Sequence, residues 1–489
     1  MSPTAFIRAV TAFVPRTVLL LLAGLVTLAP LQAEEAQALV LQAPPHGLAP
    51  FDGWGTSLCW FANAVGRWPE PARSEIADAL FSEGGLALTV VRYNIGGGEA
   101  PGHHHMPAFR QMEGFQDPSG AWNWDADAGQ RWMLQAALRR GACRLEAFSN
   151  SPPYWMTLSG CAAGAEDKNR DNLDPAKEAA FADYLVTVVK HFRDAEGIRF
   201  DTLDPMNEPF TNYWGANGNQ EGCHFDHASQ ASLLRRLRAT LDREGLANLA
   251  ISASDETNYE RAAESWRSYD EPTRSCVSVV NSHSYDTKGR TELGALIAAS
   301  GKPLVMSEVD HGGGQPHDHR SMGPALVLAR HILDDLNQLH PLRWVFWQAV
   351  EDEQGQAGSN NNWGLLHADL GGTSHAWVYT KKYHAFAQFT RYLRPGVLLI
   401  PGADERLIAA LDRERHRLVI VACNPTAQEQ PLRIDLQAFG VKDSPVRRTR
   451  TSPTEDQAEL PEIRTGKGEL NAALPIQSVT TLLVQIPAD

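Results

Sequence analysis

The 489-residue chain lacks several things whose absence narrows what it can be. It has no C-x-x-C pair among its six cysteines, which excludes a zinc ribbon. It has no G-x-G-x-x-G at a strand–helix junction. The stretch "NIGGGEA" (residues 94–100) is glycine-rich, but no helix of the right kind opens after it, so a nucleotide-cradling loop is excluded. There is no H-E-x-x-H helix of the kind that holds a catalytic zinc. There is no excess of positive charge: the formal net charge is -14, which argues against nucleic acid or an anionic membrane surface as the main partner. No apolar run reaches the ~20 residues of a membrane span, so no stable membrane insertion is expected. There is no internal repeat and no low-complexity linker. With 43% hydrophobic and 21% charged residues, the chain has the composition of a folded protein.

The N-terminus has a pattern of its own. Arg8 and Arg16 precede "TVLLLLAGLVTLAPLQAEE", an apolar core of about a dozen residues closed by Ala33. Residues 1–33 are read as a secretory signal peptide, with Leu31 an imperfect residue for the cleavage site. The mature protein is expected to be secreted or periplasmic. An exported chain permits disulfides. Cys161 and Cys223, each in a polar, Gly-rich stretch beyond a candidate strand, are the expected pair. Cys143 and Cys276 lie in or beside apolar runs and are expected to be buried thiols.

Past residue 50, strand-like runs alternate with segments of helical period. The runs are "WGTSLCW" (54–60), "LALTVVRYN" (86–94), "CRLEAFSN" (143–150), "RFDTLDPMN" (199–207), "NLAISASD" (248–255), "CVSVVNSHSY" (276–285), "PLVMSEVD" (303–310) and "RWVFWQAV" (343–350). Between them lie amphipathic segments such as "PAKEAAFADYLVTVVKHFRDAEG", with Gly197 and Gly245 as helix stops. Eight strands each followed by a helix-sized interval predict an α/β fold, a (β/α)8 TIM barrel over residues 51–395. Residues 396–489 read as short alternating runs divided by turn residues, a small antiparallel β-sandwich domain. The segment "AQALVLQ", within residues 34–50, is strand-like and is expected to pair with that sheet.

In such a barrel, polar residues at C-terminal strand ends converge on one face. In order these are Arg92 and Asn94; Ser149, Ser151 and Tyr154; Asn207 and Glu208; Asp255 and Glu256; His283 and Tyr285; Glu308; and Trp347 and Gln348. Glu208 ends the fourth run and Glu308 the seventh, which puts two carboxylates across one barrel mouth. Pro205 and Pro209 bracket Glu208, and a proline biases its predecessor towards extended backbone, so Glu208 belongs to a strand end. Paired carboxylates in an aromatic-lined cleft suit glycoside hydrolysis, and a like charge nearby keeps one carboxyl available as an acid. Asn207 can bond a sugar hydroxyl, Arg92 can hold Glu308 ionised, and His283 can bond near the nucleophile. Thirteen tryptophans supply candidate stacking platforms in Trp54, Trp60, Trp155, Trp214, Trp347 and Trp363, each equally fit for plain core packing. The "HHH" at 103–105 and "HDH" at 317–319 are expected to line the sugar cleft, since neighbours on one loop seldom present tetrahedral ligands. No metal and no cofactor are expected, and the chain is expected to act as a monomer on a polysaccharide or oligosaccharide.

The motifs carry a resemblance. "DPMNEP" followed a hundred residues later by "VMSEVD" resembles the clan A glycoside hydrolases. "FDGWGTSLCWFANAVG", "RYNIGGG", "SNSPPYWM", "NEPFTNYWGANGNQEGCHF" and "WVFWQAVED" narrow this to glycoside hydrolase family 30. The opening "GWGTSLCWFA" resembles the endo-β-1,6-galactanase branch more than the glucosylceramidase or xylanase branches. The resemblance implies a barrel with an appended β-sandwich, Glu208 as acid/base and Glu308 as nucleophile of a retaining enzyme, and β-1,6-galactan or arabinogalactan side chains as substrate. From the strand-end and aromatic readings, Arg92, Asn94, Asn207, Trp54, Tyr154, Trp155, His283, Tyr285 and Trp347 are the residues expected around the sugar. "SEVDHGGG" departs from the aromatic-containing stretch many relatives have after the nucleophile. Two other readings stay open: the same machinery on another β-linked glycan (β-1,6-glucan, xylan, a glucosylated lipid), and a non-catalytic carbohydrate-binding barrel, against which the retained carboxylates speak.

Overall fold

The computed structural model describes residues 38–487 apart from 45, 46 and 104. The signal-peptide reading of residues 1–33 lies outside the described residues. Strand β1 is Leu39–Val40. Eight parallel strands then close a barrel: β2 (Gly53–Ser57), β3 (Val90–Asn94), β4 (Arg144–Phe148), β5 (Thr202–Asp204), β6 (Ala250–Glu256), β7 (Val279–His283), β8 (Leu304–Val309) and β9 (Arg343–Gln348). Closure is made by β9 against β2, with Gly53 opposite Arg343 and Thr56 opposite Phe346. Each strand overlaps one of the eight predicted runs. They read as near-continuous apolar segments because both faces are covered, by the barrel interior and by helices; β3 and β8 are buried along their whole length.

The helices follow from spacing. Glu178–Ala195 buries Phe181, Tyr184, Leu185, Val188, Val189 and Phe192, a stripe with the three- and four-residue recurrence of one helix face. It and the helix His227–Arg243 are followed by Gly197 at φ 70° and Gly245 at φ 71°, the left-handed backbone that costs other residues about 1–2 kcal/mol.

Beyond the barrel come a small sheet of β10 (Val350–Asp352), β11 (Leu366–Ala368) and β12 (Trp377–Tyr379), then the C-terminal strands β13 (Leu398–Ile400), β14 (Leu407–Asp412), β15 (Arg417–Asn424), β16 (Gln430–Asp435), β17 (Pro445–Ser452), β18 (Glu455–Arg464), β19 (Glu469–Leu474) and β20 (Ser478–Gln485). Six of these form an antiparallel sheet in the order β13-β14-β15-β20-β17-β18. A second sheet, β1-β16-β19, faces it, and β1 joins β16 in parallel with Leu39 opposite Ile434. The period of two along β15 explains how this domain is attached. Leu418, Ile420 and Ala422 enter the core between the two sheets, while Val419, Val421 and Cys423 enter the barrel's core. A buried valine stabilises by roughly 1.5–3 kcal/mol, so this strand belongs energetically to both domains. Gln388, on the helix Lys381–Thr390, adds polar ties to Thr449, Thr451 and Thr481.

All six cysteines are free. The expected Cys161–Cys223 bridge is not made. Cys161 Sγ lies against the carbonyl of Ala216 (3.2 Å) and His105 Nε2 (3.6 Å), whereas Cys223 Sγ faces the carbonyl of His224 at 3.5 Å. Cys143 is exposed and Cys276 half-buried, against the expectation for both. Cys143 precedes β4 at the barrel's bottom rim, and Cys276 ends the short helix Glu271–Cys276.

Candidate active site

The centre of the barrel is polar. Arg92, on β3 and 1% exposed, donates from Nε to Glu146 (2.9 Å), from Nη2 to Asp255 (2.7 Å) and from Nη1 to Glu308 (2.9 Å). Its guanidinium also lies 4.0 Å from the ring centre of Phe148. Below it, Glu146 accepts from Thr202, Ser252 and Asn281, and Asn281 Nδ2 donates to Asp204 as well. Burial opposes the charge on Arg92, but Asp255, Glu146 and Glu308 outweigh it and hold the guanidinium more firmly protonated than usual. Burial, with Asp255 and Glu146 adding, pushes the Asp204 carboxyl well above the carboxylate range. Burial alone would raise Asp255 too, yet Arg92 and His283 outweigh it and hold it at about 2.

Above this layer stand the two glutamates. Glu308 is on β8, and Glu208 follows β5. One oxygen of each and a nitrogen of His283 all lie within 4.8 Å of one another. His283 Nδ1 is 3.1 Å from Glu208 Oε1 and 3.5 Å from Glu308 Oε1. Its Nε2 is 3.2 Å from Asp255 Oδ1, an ion-pair contact without hydrogen-bond geometry. Burial disfavours a charged imidazole, but Glu308 and Asp255 outweigh it and raise His283 well above the ordinary histidine value, so it faces the carboxylates as a cation. Burial likewise pushes Glu308 up; His283 and Arg92 pull it back, Glu208 and Asp255 add to the rise, and the carboxyl stands at about 7. Tyr285 Oη donates to Glu308 Oε1 at 2.9 Å, and Tyr213 Oη donates to Glu208 Oε2.

Glu208 is not extended, as the following proline suggested. Its φ is 45°, and Asp255 beside it has φ 57°, a region where non-glycine residues are held only by surrounding contacts. The contacts are present: Glu208 N donates to Asp255 O (2.9 Å), and Thr211 Oγ1 and Trp214 Nε1 donate to Glu208 O (3.0 and 3.1 Å).

The glutamates open into a cleft of about 580 Å³ lined by Asn207, Tyr213, Trp214, Thr257, Tyr285, Asp310, Trp347, Glu351 and Trp363 among others, within the range of small-molecule sites. Asn207 Oδ1 is buried without a partner there. Trp347 is supported edge-on by the buried Trp60 at 5.9 Å. Of the residues expected around a sugar, Asn207, Tyr285 and Trp347 line the cleft. Arg92 and His283 lie behind the glutamates and act through them. Asn94 is fully buried and engaged by Glu221 (2.8 Å) and Asn150 N (3.2 Å). Trp54 is core: it packs against Phe51, Trp344, Phe386 and Phe389, and its Nε1 donates to Leu393 O. Neither Tyr154 nor Trp155 lines the cleft; Tyr154 lies by Gly98, and Trp155 Nε1 bonds Gln116 O. His317 and His319 do not line it either.

Several cleft residues carried no role in the sequence reading. Tyr213 lies five residues past Glu208, and only the fold returns its hydroxyl to that carboxylate. Asp310 is paired with the buried Lys382 at 2.7 Å, and Glu351, pushed up to about 7 by burial, accepts from Gln348.

A barrel with two glutamates converging at its C-terminal mouth, one held by an arginine, is the framework of a glycoside hydrolase. Family-wide comparison agrees: residues 48–281 match O-Glycosyl hydrolase family 30. The chain is 31% identical over 485 residues to an endo-beta-1,6-galactanase of Hypocrea rufa, covering 93% of this chain and 96% of that one. It is 26% identical to an exo-beta-1,6-galactobiohydrolase of Bifidobacterium longum subsp. longum, over 83% of this chain and 36% of that longer protein. A conserved exported protein from Bacteroides fragilis shares the fold, with TM-score 0.77 at 22% identity over 92% of this chain and all of that one. The chain belongs to glycoside hydrolase family 30.

Proposed function

We propose that this is an exported, monomeric, retaining endo-glycosidase that cleaves β-1,6-galactosidic linkages in galactan or in arabinogalactan side chains. The observation that carries the mechanism is the approach of the two glutamates, with one oxygen of each within 4.8 Å. That approach favours a retaining enzyme, whose carboxyls sit about 5–5.5 Å apart, over an inverting one, whose carboxyls sit about 6.5–9.5 Å apart. In the first step the Glu308 carboxylate attacks the anomeric carbon while the glycosidic C–O bond breaks, and the departing oxygen takes the proton of Glu208. In the second, Glu208 removes a proton from water, which attacks the anomeric carbon and releases Glu308 as a carboxylate. Arg92, Tyr285 and the His283 cation favour the ionised Glu308, and the unpartnered Asn207 Oδ1 is free to accept from the sugar 2-hydroxyl. The galactan preference rests on likeness to the Hypocrea rufa enzyme along nearly its whole length.

Digestion of β-1,6-galactan, β-1,6-glucan and xylan, with early products sized, tests the substrate. Oligosaccharides of mixed length from galactan alone are expected. Galactobiose as the sole early product would mean an exo enzyme, and preference for glucan or xylan would sink the galactan reading. Glu208→Ala tests the mechanism. Galactan cleavage should fall by about 10²–10⁴-fold, while the first step on an aryl galactoside with a very acidic phenol is spared and azide speeds release of a retained product. Equal slowing on both substrates would remove Glu208 as the acid.

A further inference from the structure

We propose that the loops behind one wall of the cleft carry a site for a single divalent transition-metal ion, zinc by ligand chemistry, made by His317, His319, Glu353 and His367. Sequence spacing hides it, because the four come from three places: the loop after β8, the start of the helix Glu353–Ser359, and β11. One ligand atom of each lies within 4.8 Å of all the others. His317 Nε2, His319 Nε2 and His367 Nδ1 surround the same oxygen, Glu353 Oε2, at 3.3, 2.9 and 2.9 Å.

The far side of His367 gives the second observation. Its Nε2 lies 2.7 Å from the carbonyl oxygen of Trp363, which can only accept. That nitrogen therefore carries a hydrogen, and Nδ1 faces the carboxylate oxygen at 2.9 Å, a separation bridged either by a second ring proton or by a metal cation. An imidazole braced by a backbone carbonyl is also the usual outer support of a metal ligand. Three imidazoles and a carboxylate are a common tetrahedral set for zinc, with bonds of about 2.0–2.2 Å. Such bonds put neighbouring ligand atoms about 3.4 Å apart, so Glu353 would draw back from His319 and His367 on binding. Its side chain, 35% exposed, is the one most free to move, while that of His367 is fully buried. The solvent-facing sides of His317 and His319 leave a path for entry.

The ion would position rather than catalyse, since none of its four residues lines the cleft, whereas Trp363 does. Asn362 N donates to Gly313 O at 2.7 Å, and a side chain at Gly313 would collide with the Trp363 ring. A metal joining the loop after β8 to Glu353 and His367 would lock that tryptophan in place.

Equilibrium dialysis of the chelator-treated full chain against zinc alone, with metal counted by elemental analysis, tests the proposal. The wild type should hold one zinc more than His319→Ala and than the isosteric Glu353→Gln, and zinc should raise its melting temperature more than theirs. Cobalt in the same site should give tetrahedral visible bands with no sulfur charge-transfer band, which separates it from the cluster of Glu99, His103, His105 and Cys161. A wild type that takes up no zinc, equal counts in wild type and both variants, or a cobalt complex showing only the thiolate signature would each overturn it.

Discussion

The two domains bury opposite chemistry with the same secondary structure. The middle of the barrel holds Arg92, Glu146, Asp204, Asp255 and Asn281, each with its partners among the others. The middle of the sandwich holds Leu41, Ile420, Leu432, Ile434, Leu470 and Leu482. Burying several carboxylates around one guanidinium is at best neutral for stability, whereas apolar packing is where stability comes from. The barrel centre is therefore organised to hold Glu308 in one place, against the charges of Arg92 and His283. The sandwich, sharing β15 with the barrel's core, supplies stability without chemistry.

The sharpest break of this contrast is Glu308→Gln. Turnover of galactan should fall by several orders of magnitude while binding, read by calorimetry on the same preparation, persists; wild-type-like turnover would remove Glu308 from the mechanism. The same variant reads the cost of burial. A carboxyl raised from 4.5 to about 7 contributes stability that is complete below about 4.5 and is lost as pH rises through 7. The unfolding free energy of Glu308→Gln should therefore gain on the wild type across that window, and a constant difference would contradict the shift. Next comes Arg92→Met, which strands three carboxylates. It should cost about 3–5 kcal/mol and move the acid limb of kcat/KM to higher pH, since Glu308 loses a charge that favours its ionised form. Ile434→Ala, in the sandwich, should cost about 2–5 kcal/mol in denaturant unfolding yet leave kcat per folded molecule unchanged; a matching loss of kcat would erase the distinction between the two cores. Smallest of all, a reducing agent should leave the melting temperature where it is, since no cysteine pair is bridged.

Much of this was legible in the sequence because it is periodic or local. Strand count, the alternation with helices, Gly197 and Gly245 as stops, and both glutamates at strand ends follow from short windows. What failed needed a face or a distance. Trp54 and Ser57 sit on one strand, but Ser57 turns inward to Arg92 at 3.3 Å and Trp54 outward to Phe386, and a run buried on both faces gives no alternation to tell them apart. The left-handed backbone of Glu208 depends on Asp255, Thr211 and Trp214, none of which its neighbouring prolines announce. The Cys161–Cys223 pairing was drawn from composition, which carries no geometry. The meeting of His317 and His319 with Glu353, 34 or more residues along the chain, is likewise a contact that neither short stretch announces.

The pairing of Leu39 with Ile434 joins points separated by roughly 400 residues. Contacts of such long sequence separation form slowly, because the closure entropy of the loop is met before the contact returns anything. During synthesis the segment around β1 has no strand partner until β16 has been made, and the facing sheet waits for β20, so the sandwich closes only when the chain is nearly complete. The last clasp of the native state is thus fastened late, after all eight strands of the barrel have been made.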